Sequence, residues 1–194
     1  MQSIIFATNN QHKVEEIQSA IGNQITVITL AEAGVNIDIP EPHPTLEQNA
    51  SEKSATIKKL TGLDCFSEDT GLEVAALNGD PGVLSARYAG DEKSFDKNID
   101  KLLEKLDGKA DRSARFRTVI SLVWKGREHL FEGICEGSIT NERVGRNGFG
   151  YDPVFLPKGT NRTFAEMDMS EKNAVSHRKK AADKLIDFLI NHST

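Results

Sequence analysis

Ile4-Ile5-Phe6-Ala7, running straight into Thr8-Asn9-Asn10-Gln11-His12-Lys13-Val14, sets the architecture of this chain. Four apolar residues in a row, without alternation, suit a strand buried on both faces, as in a parallel sheet. The polar triplet ends that strand. Val14, Ile17 and Ile21 then recur at spacings of three and four, which predicts a helix with Asn9 or Asn10 as its cap and Gly22 as its stop. Gln24 to Leu30 reads as the next strand, so the chain opens as a βαβ unit.

Outward from this unit, Ile39-Pro40-Glu41-Pro42-His43-Pro44 holds three of the six prolines and excludes regular structure, placing Glu41 on a stiff loop. Thr45 and Gln48 then form a capping-box start for a helix carrying Leu46, Ala50, Ile57 and Leu60. A brief strand at Cys65-Phe66 leads to Ser67-Glu68-Asp69-Thr70-Gly71, with Leu72, Val74 and Ala76 alternating beyond it, so two carboxylates fall at a strand end. Phe95, Ile99, Leu102, Leu103 and Leu106 mark another helix. Ala114 to Trp124 alternates through a long strand, and the turn Lys125-Gly126-Arg127 returns His129 to Ile139 as its hairpin partner. A last helix starting near Ser170 carries Ala174, Ala181, Leu185, Phe188 and Leu189 to the end. The fold class expected is α/β, a mixed sheet flanked by helices, with the hairpin region forming a partly separate lobe and a cleft between lobes as the site.

Composition narrows the function. The chain has 194 residues, 24 Lys+Arg against 29 Asp+Glu, a net charge of -5 and 38% apolar residues. That is one large domain or two lobes sharing a core. No apolar run approaches the roughly 18 residues of a bilayer span, so no membrane association is expected. A mildly acidic balance argues against nucleic-acid binding, which relies on basic faces. Cys65 and Cys135 lack zinc spacing and read as buried reduced thiols. The N-terminus carries no signal-peptide pattern, and a cytoplasmic location is expected.

Four segments bear chemistry. Thr8 to Lys13 follows a parallel strand and opens a helix, where ligands of α/β folds bind and the dipole favours an anion. Lys13 in that first turn is disfavoured by roughly 0.3–1 kcal/mol unless an anion reverses the sign; otherwise it is a solvated lysine. Lys172, read in the first turn of the last helix, repeats the anomaly, with His177 and Arg178 close behind; a basic solvent face is the alternative. Glu68 or Asp69, together with Glu41, offers hard oxygens for Mg²⁺, or else an acidic turn with Gly71 supplying positive φ. Gly145-Arg146-Asn147-Gly148-Phe149-Gly150-Tyr151-Asp152-Pro153 permits close backbone approach, aromatic stacking on a base and a carboxylate for base N–H groups; alternatively its aromatics plug the core.

These segments occur in a fixed order: ATNNQHK at 7–13, SEDTGL at 67–72, PGVLSARY at 81–88, FGYDP at 149–153 and EKNAVSHR at 171–178. Together they resemble the inosine triphosphate pyrophosphatase family, house-cleaning enzymes also called dITP/XTP pyrophosphatases. The resemblance spans Ser3 to the final helix. It implies a single catalytic domain over residues 1–194, an elongated two-lobed Maf/ITPase-like fold with the nucleotide cleft between its lobes, a homodimer, and Mg²⁺-dependent hydrolysis of ITP, dITP and XTP to the monophosphate and pyrophosphate. By residue match, Asp69 is the general base and a metal ligand, with Glu41 the second metal carboxylate. Thr8, Asn9, Asn10 and Lys13 hold the phosphates, while Gln11, His12, Lys172 and Thr70 touch the substrate. Phe149, Gly150, Tyr151 and Asp152 line the base pocket, and His177 and Arg178 read the 6-oxo edge. Asn9, Glu68 and Thr70 stand where many members have Gly, Asp and Ser. The alternatives are a Maf-like pyrophosphatase of modified or pyrimidine nucleotides and a nucleotide sensor without turnover.

Overall fold

The computed structural model describes residues 3–192. The apolar run forms β1 (Ser3–Phe6), and its last three residues are buried. It lies parallel to β2 (Thr26–Thr29) on one side and to β3 (Cys65–Val74) on the other, which is the both-faces-covered setting an unalternating strand requires. Between β1 and β2, α1 (Gln11–Ile21) is capped by the Asn10 side chain and stopped by Gly22 at φ 60°. Val14, Ile17, Ala20 and Ile21 form its buried stripe.

Next come α2 (Leu46–Thr61), β4 (Pro81–Gly82), α3 (Phe95–Lys105), β5 (Ser113–Trp124), β6 (Arg127–Ile139), β7 (Phe155–Pro157), α4 (Met169–Val175) and α5 (His177–His192). The sheet runs β2-β1-β3-β5-β6-β7, with β4 antiparallel to β3. It is a mixed sheet, parallel around β1 and antiparallel where β7 meets β6. Among the described residues, no helix is long and apolar enough to cross a membrane.

The chain divides into two compact units. The first comprises the residues up to Asp69, Thr118–Gly133 and the segment from His177 onward; the second comprises Thr70–Arg117 and Ile134–Ser176. In the first, α1 packs on α5, and Ile4, Phe6, Ile17, Phe66, Leu185 and Leu189 share one core. In the second, Leu72, Ile99, Leu102, Phe116, Phe155 and Phe164 form another. Both cysteines are buried thiols.

Four expectations need correction. The β5–β6 hairpin is not a lobe of its own, because each strand gives its turn-proximal half to the first unit and the rest to the second. The last helix does not run on from Ser170. It is two helices, α4 capped by Asp168 in a capping box with Glu171, and α5, separated at Ser176, whose ψ of 150° breaks the ladder. Glu68 to Gly71 is not a turn at a strand end: β3 is one ten-residue strand passing through all four, and Ala76 falls in the short 3₁₀ turn after it. Gly71 serves close approach rather than positive φ, since a Cβ there would lie 2.7 Å from the Gly82 carbonyl oxygen of β4. Leu60 and Phe95, read as core positions, are 57% and 40% exposed.

Candidate active site

Adjacent residues of a strand point to opposite faces, and β3 uses this to give its two carboxylates different surroundings. Glu68 receives Arg178 in a bidentate pair, Nε to Oε2 at 2.7 Å and Nη2 to Oε1 at 3.0 Å. Arg178 also bonds Glu16 of α1 through Nη1. Lys13 Nζ lies 3.1 Å from Glu68 Oε1. Glu16, Glu68 and Arg178 are all buried. Burial alone would push the Glu68 carboxyl up, but Arg178 and Lys13 outweigh it and hold the group well below the ordinary carboxylate range. The same carboxylates raise Arg178 against its desolvation. Lys13 in the first turn of α1 is therefore neither solvated nor anomalous, because Glu68 supplies the negative charge that the helix start wants nearby.

The loop before α1 is tied by its own side chains. Thr8 Oγ1 accepts from the Asn10 N–H at 3.2 Å, Asn10 Oδ1 accepts from the Lys13 N–H at 3.2 Å, and Asn9 donates to the Ile37 carbonyl at 2.7 Å. Gln11 and His12 are exposed in the first turn, with Gln11 donating to Glu15.

Asp69 meets a residue that the motif reading passed over. Lys53 Nζ, on α2, lies 2.6 Å from Glu41 Oε1 and 3.1 Å from Asp69 Oδ1, joining the two expected metal carboxylates through one buried ammonium. Burial pushes Asp69 up, Lys53 and Lys13 oppose that, Glu41 adds to it, and the carboxyl ends above its ordinary value. Lys53 is raised, its two carboxylates outweighing its desolvation. A signal for Lys53 was present: it sits three residues after Ala50 and four before Ile57, on the apolar stripe of α2, where a lysine needs a buried partner. Glu16, beside Ile17 on α1, is the same kind of sign. The loop carrying Glu41 is clamped to α2, since Asn49 Oδ1 accepts from the His43 N–H at 2.9 Å and Asn49 Nδ2 donates to the His43 carbonyl at 3.2 Å.

Among the described residues, no three His, Cys, Asp or Glu side chains converge as a metal cage. Two carboxylates suit Mg²⁺ nonetheless, because that ion keeps several waters and takes further oxygens from substrate phosphates.

The second unit holds the glycine-rich loop. Asp152 Oδ2 accepts from the Phe149 N–H at 2.9 Å and from Lys172 Nζ at 2.6 Å. Lys172 Nζ stands 5.4 Å from the Phe149 ring centroid and 5.1 Å from that of Phe164. Tyr151 is buried, its hydroxyl donating to the Ser85 carbonyl at 2.9 Å; burial, together with the neighbouring Tyr88, pushes the pKa of that hydroxyl up. A Cβ at position 148 would meet Asp152 Oδ2 at 2.0 Å, which explains Gly148. Phe149 is half-buried, so it, rather than Tyr151, offers a stacking face.

The structure thus places Thr8 to Lys13, Glu41, Asp69, His177 and Arg178 in the first unit, and Thr70, Phe149 to Asp152 and Lys172 in the second. Lys172 is Asp152's partner in the last turn of the seven-residue α4, where the dipole favours a cation, so the repeated helix-start oddity disappears. Lys172 and Arg178, read as a pair of phosphate cations, are each held by carboxylates of their own unit.

The sequence profile of the Ham1 family matches residues 4–188. The chain belongs to the Ham1 family. Ham1 relatives resemble it over almost their whole length. A protein of Christiangramia forsetii named dITP/XTP pyrophosphatase is 50% identical over 186 residues, covering 96% of this chain and 98% of that one. One of Porphyromonas gingivalis with the same name is 49% identical, with 98% of each chain covered. Among solved structures, a Ham1 protein of Coxiella burnetii superposes with a TM-score of 0.89 at 40% identity, over 98% of this chain and all of that one. The Staphylococcus aureus Ham1 protein gives 0.88 at 39%, over 98% and 99%.

Proposed function

We propose that this Ham1 protein is a nucleoside-triphosphate pyrophosphatase that converts ITP, dITP and XTP to the monophosphate and pyrophosphate, clearing non-standard purines from the cytoplasmic nucleotide pool as a homodimer. The observation that carries the reading is the pair Glu41 and Asp69 gathered on one buried lysine, in a chain half identical to proteins named for that reaction.

Asp69 is the general base. Its raised pKa brings a carboxylate nearer neutrality, where it takes the proton of the attacking water while that water's oxygen bonds to the α-phosphorus and the bond to the bridging oxygen breaks. Glu41 and Asp69 are the residues that would hold Mg²⁺, which supplies charge stabilisation for the departing pyrophosphate. Thr8, Asn9, Asn10 and Lys13 take the phosphates at the start of α1, with the Lys13 ammonium turned by Glu68 and with Gln11 and His12 beside the substrate.

Phe149 stacks on the base, Gly150 and Tyr151 shape the pocket, and Asp152 accepts from base N–H groups with Lys172 holding it. Thr70 contacts the substrate. His177 and Arg178 read the 6-oxo edge, Arg178 presenting a guanidinium fixed by Glu16 and Glu68. Adenine's amino group would face donors there, and an unpaired buried polar group costs roughly 1–3 kcal/mol, so ATP is a poor substrate.

The test is incubation with ITP, XTP, GTP, ATP and dTTP in Mg²⁺ beside an EDTA control, separating pyrophosphate from orthophosphate. Pyrophosphate from ITP and XTP, little from ATP and none with EDTA is expected. Orthophosphate would move attack to the γ-phosphorus and undo the mechanism, and preference for dTTP would favour the Maf-like reading.

A further inference from the structure

We infer that the Lys53 ammonium occupies the divalent-cation position of the free protein, and that metal enters only when substrate phosphate draws that ammonium away. The inference rests on the pyrophosphatase reading for the role of Glu41 and Asp69 as metal ligands.

The geometry makes the two cations rivals. An ammonium has three N–H donors, and Lys53 directs them at Glu41 Oε1 and Asp69 Oδ1, the oxygens whose lone pairs a metal would take. Mg²⁺ requires its oxygens at about 2.0–2.1 Å and near-octahedral geometry. A lysine nitrogen 2.6 and 3.1 Å from the same atoms stands within that coordination sphere. A second positive ion cannot share it, because repulsion between cations this close is severe at the low dielectric of a buried site.

Nor can Lys53 withdraw into the helix. On one side Asn49 clamps α2 to the loop bearing Glu41, and on the other Ser54 is buried with its hydroxyl 2.7 Å from that of Ser121. Only the flexible stem of Lys53 moves, and a buried ammonium that leaves two carboxylates needs another anion. The neighbouring acids do not offer one, since Glu68 is already paired with Arg178 and Lys13. Incoming phosphate does. Glu41, Asp69 and Lys53 sum to one negative charge; exchanging the ammonium for a divalent ion makes the set neutral, and the displaced Lys53 then adds one positive charge facing the phosphate. Metal and phosphate are consequently coupled, and the coupling factor is the same whichever binds first.

Mn²⁺ binding read by electron paramagnetic resonance tests this without turnover, using IMP as the phosphate probe. Wild type should bind Mn²⁺ weakly alone and at least fivefold more tightly with IMP. Lys53→Met should bind Mn²⁺ at least tenfold more tightly than wild type without nucleotide, and IMP should tighten it by a clearly smaller factor than in wild type, the phosphate oxygens alone contributing. Lys53→Arg should remain as weak as wild type. Lys13→Met removes a positive charge that acts on Asp69 from outside the carboxylate pair, and should tighten Mn²⁺ less than threefold.

Equal tightening in Lys53→Met and Lys13→Met would reduce the effect to the general field and overturn the inference, as would tight Mn²⁺ binding by wild type alone. If Lys53→Met fails to fold, Lys53→Gln, which keeps a hydrogen-bond donor for the two carboxylates and lacks the charge, is read in the same way. ITP hydrolysis is read separately: loss of that activity from wild type would overturn the pyrophosphatase reading, whereas active protein with Mn²⁺ binding indifferent to IMP would overturn the ordering alone.

Discussion

On one face of β3, Glu68 and Glu16 meet Arg178 and Lys13, two anions against two cations. On the other, Asp69 and Glu41 share the Lys53 ammonium, and Lys13 acts on Asp69 only through its field. The residues are neighbours in sequence, and their carboxyls are driven in opposite directions, Glu68 down and Asp69 up. A closed charge set fixes its members in place, since each removal strands a buried partner. An open one leaves room for a further positive charge and keeps a carboxylate poised to take a proton, which is what chemistry needs. If this contrast is right, substitutions at adjacent positions of one strand should fail in different ways.

The largest effect belongs to the open set. Asp69→Asn keeps size and removes the base, so kcat for ITP should fall by about 10²–10⁴, or roughly 3–5 kcal/mol in the barrier. KM should change far less, because the loop from Thr8 to Lys13 is untouched. Turnover near wild type would remove Asp69 from the mechanism and leave the open set without a role.

Next comes the closed set. Arg178→Met leaves Glu68 and Glu16 buried without their shared guanidinium, and breaking a buried pair from one side costs about 3–5 kcal/mol. Thermal unfolding should fall by on the order of 10 °C. A variant as stable as wild type would show that Arg178 is held for substrate alone and that the two faces of β3 do not differ in this way.

How much of this was legible depended on range. β1 and α1 were readable because an unalternating apolar run and a 3.6-residue stripe are local signals, and Asn10 caps where the sequence places a cap. Glu68 to Gly71 misled because the string looks like an acidic turn. What makes it mid-strand is Arg178, 110 positions away, and the close Gly71–Gly82 approach, neither of which leaves a period-two mark in a strand buried on both faces. The split of the last helix at Ser176 was invisible because serine does not itself stop a helix and the apolar stripe resumes beyond it. The residues of the site were legible as types while their groupings were not, since motif order says nothing of which cation Glu68 or Asp152 receives. Lys53 was readable and unread: a lysine on an apolar stripe asks for a buried carboxylate.

A smaller effect separates the faces by pH. The Glu68 carboxyl is lowered in the folded protein, so its contribution is fully present above its unfolded value near 4.5 and is lost as pH falls through the folded one. Wild type should lose stability progressively below about pH 4.5, and Glu68→Gln, already lacking the charge, should be less stable at pH 7 with a shallower acid limb. Denaturant midpoints taken between pH 3 and 7 measure both slopes, and parallel curves would take Glu68 out of the closed set.

The smallest expected effect is the most discriminating. Asp69 is raised on folding, so the sign reverses: its contribution is present below the unfolded value of 3.8 and disappears as pH rises through the folded one, which leaves the ionised carboxylate a burden at neutral pH. Asp69→Asn relieves that burden while depriving Lys53 of one of its two carboxylates, with Glu41 still 2.6 Å from the ammonium. The two changes oppose each other, and the net shift in unfolding free energy at pH 7 should stay within about 1 kcal/mol. One substitution would then abolish turnover and leave the fold standing, while Glu68→Gln, one residue away, lowers stability. Should Asp69→Asn instead unfold the protein as readily as Arg178→Met, Asp69 would belong to the structural ion pairs and the open side of β3 would be closed as well.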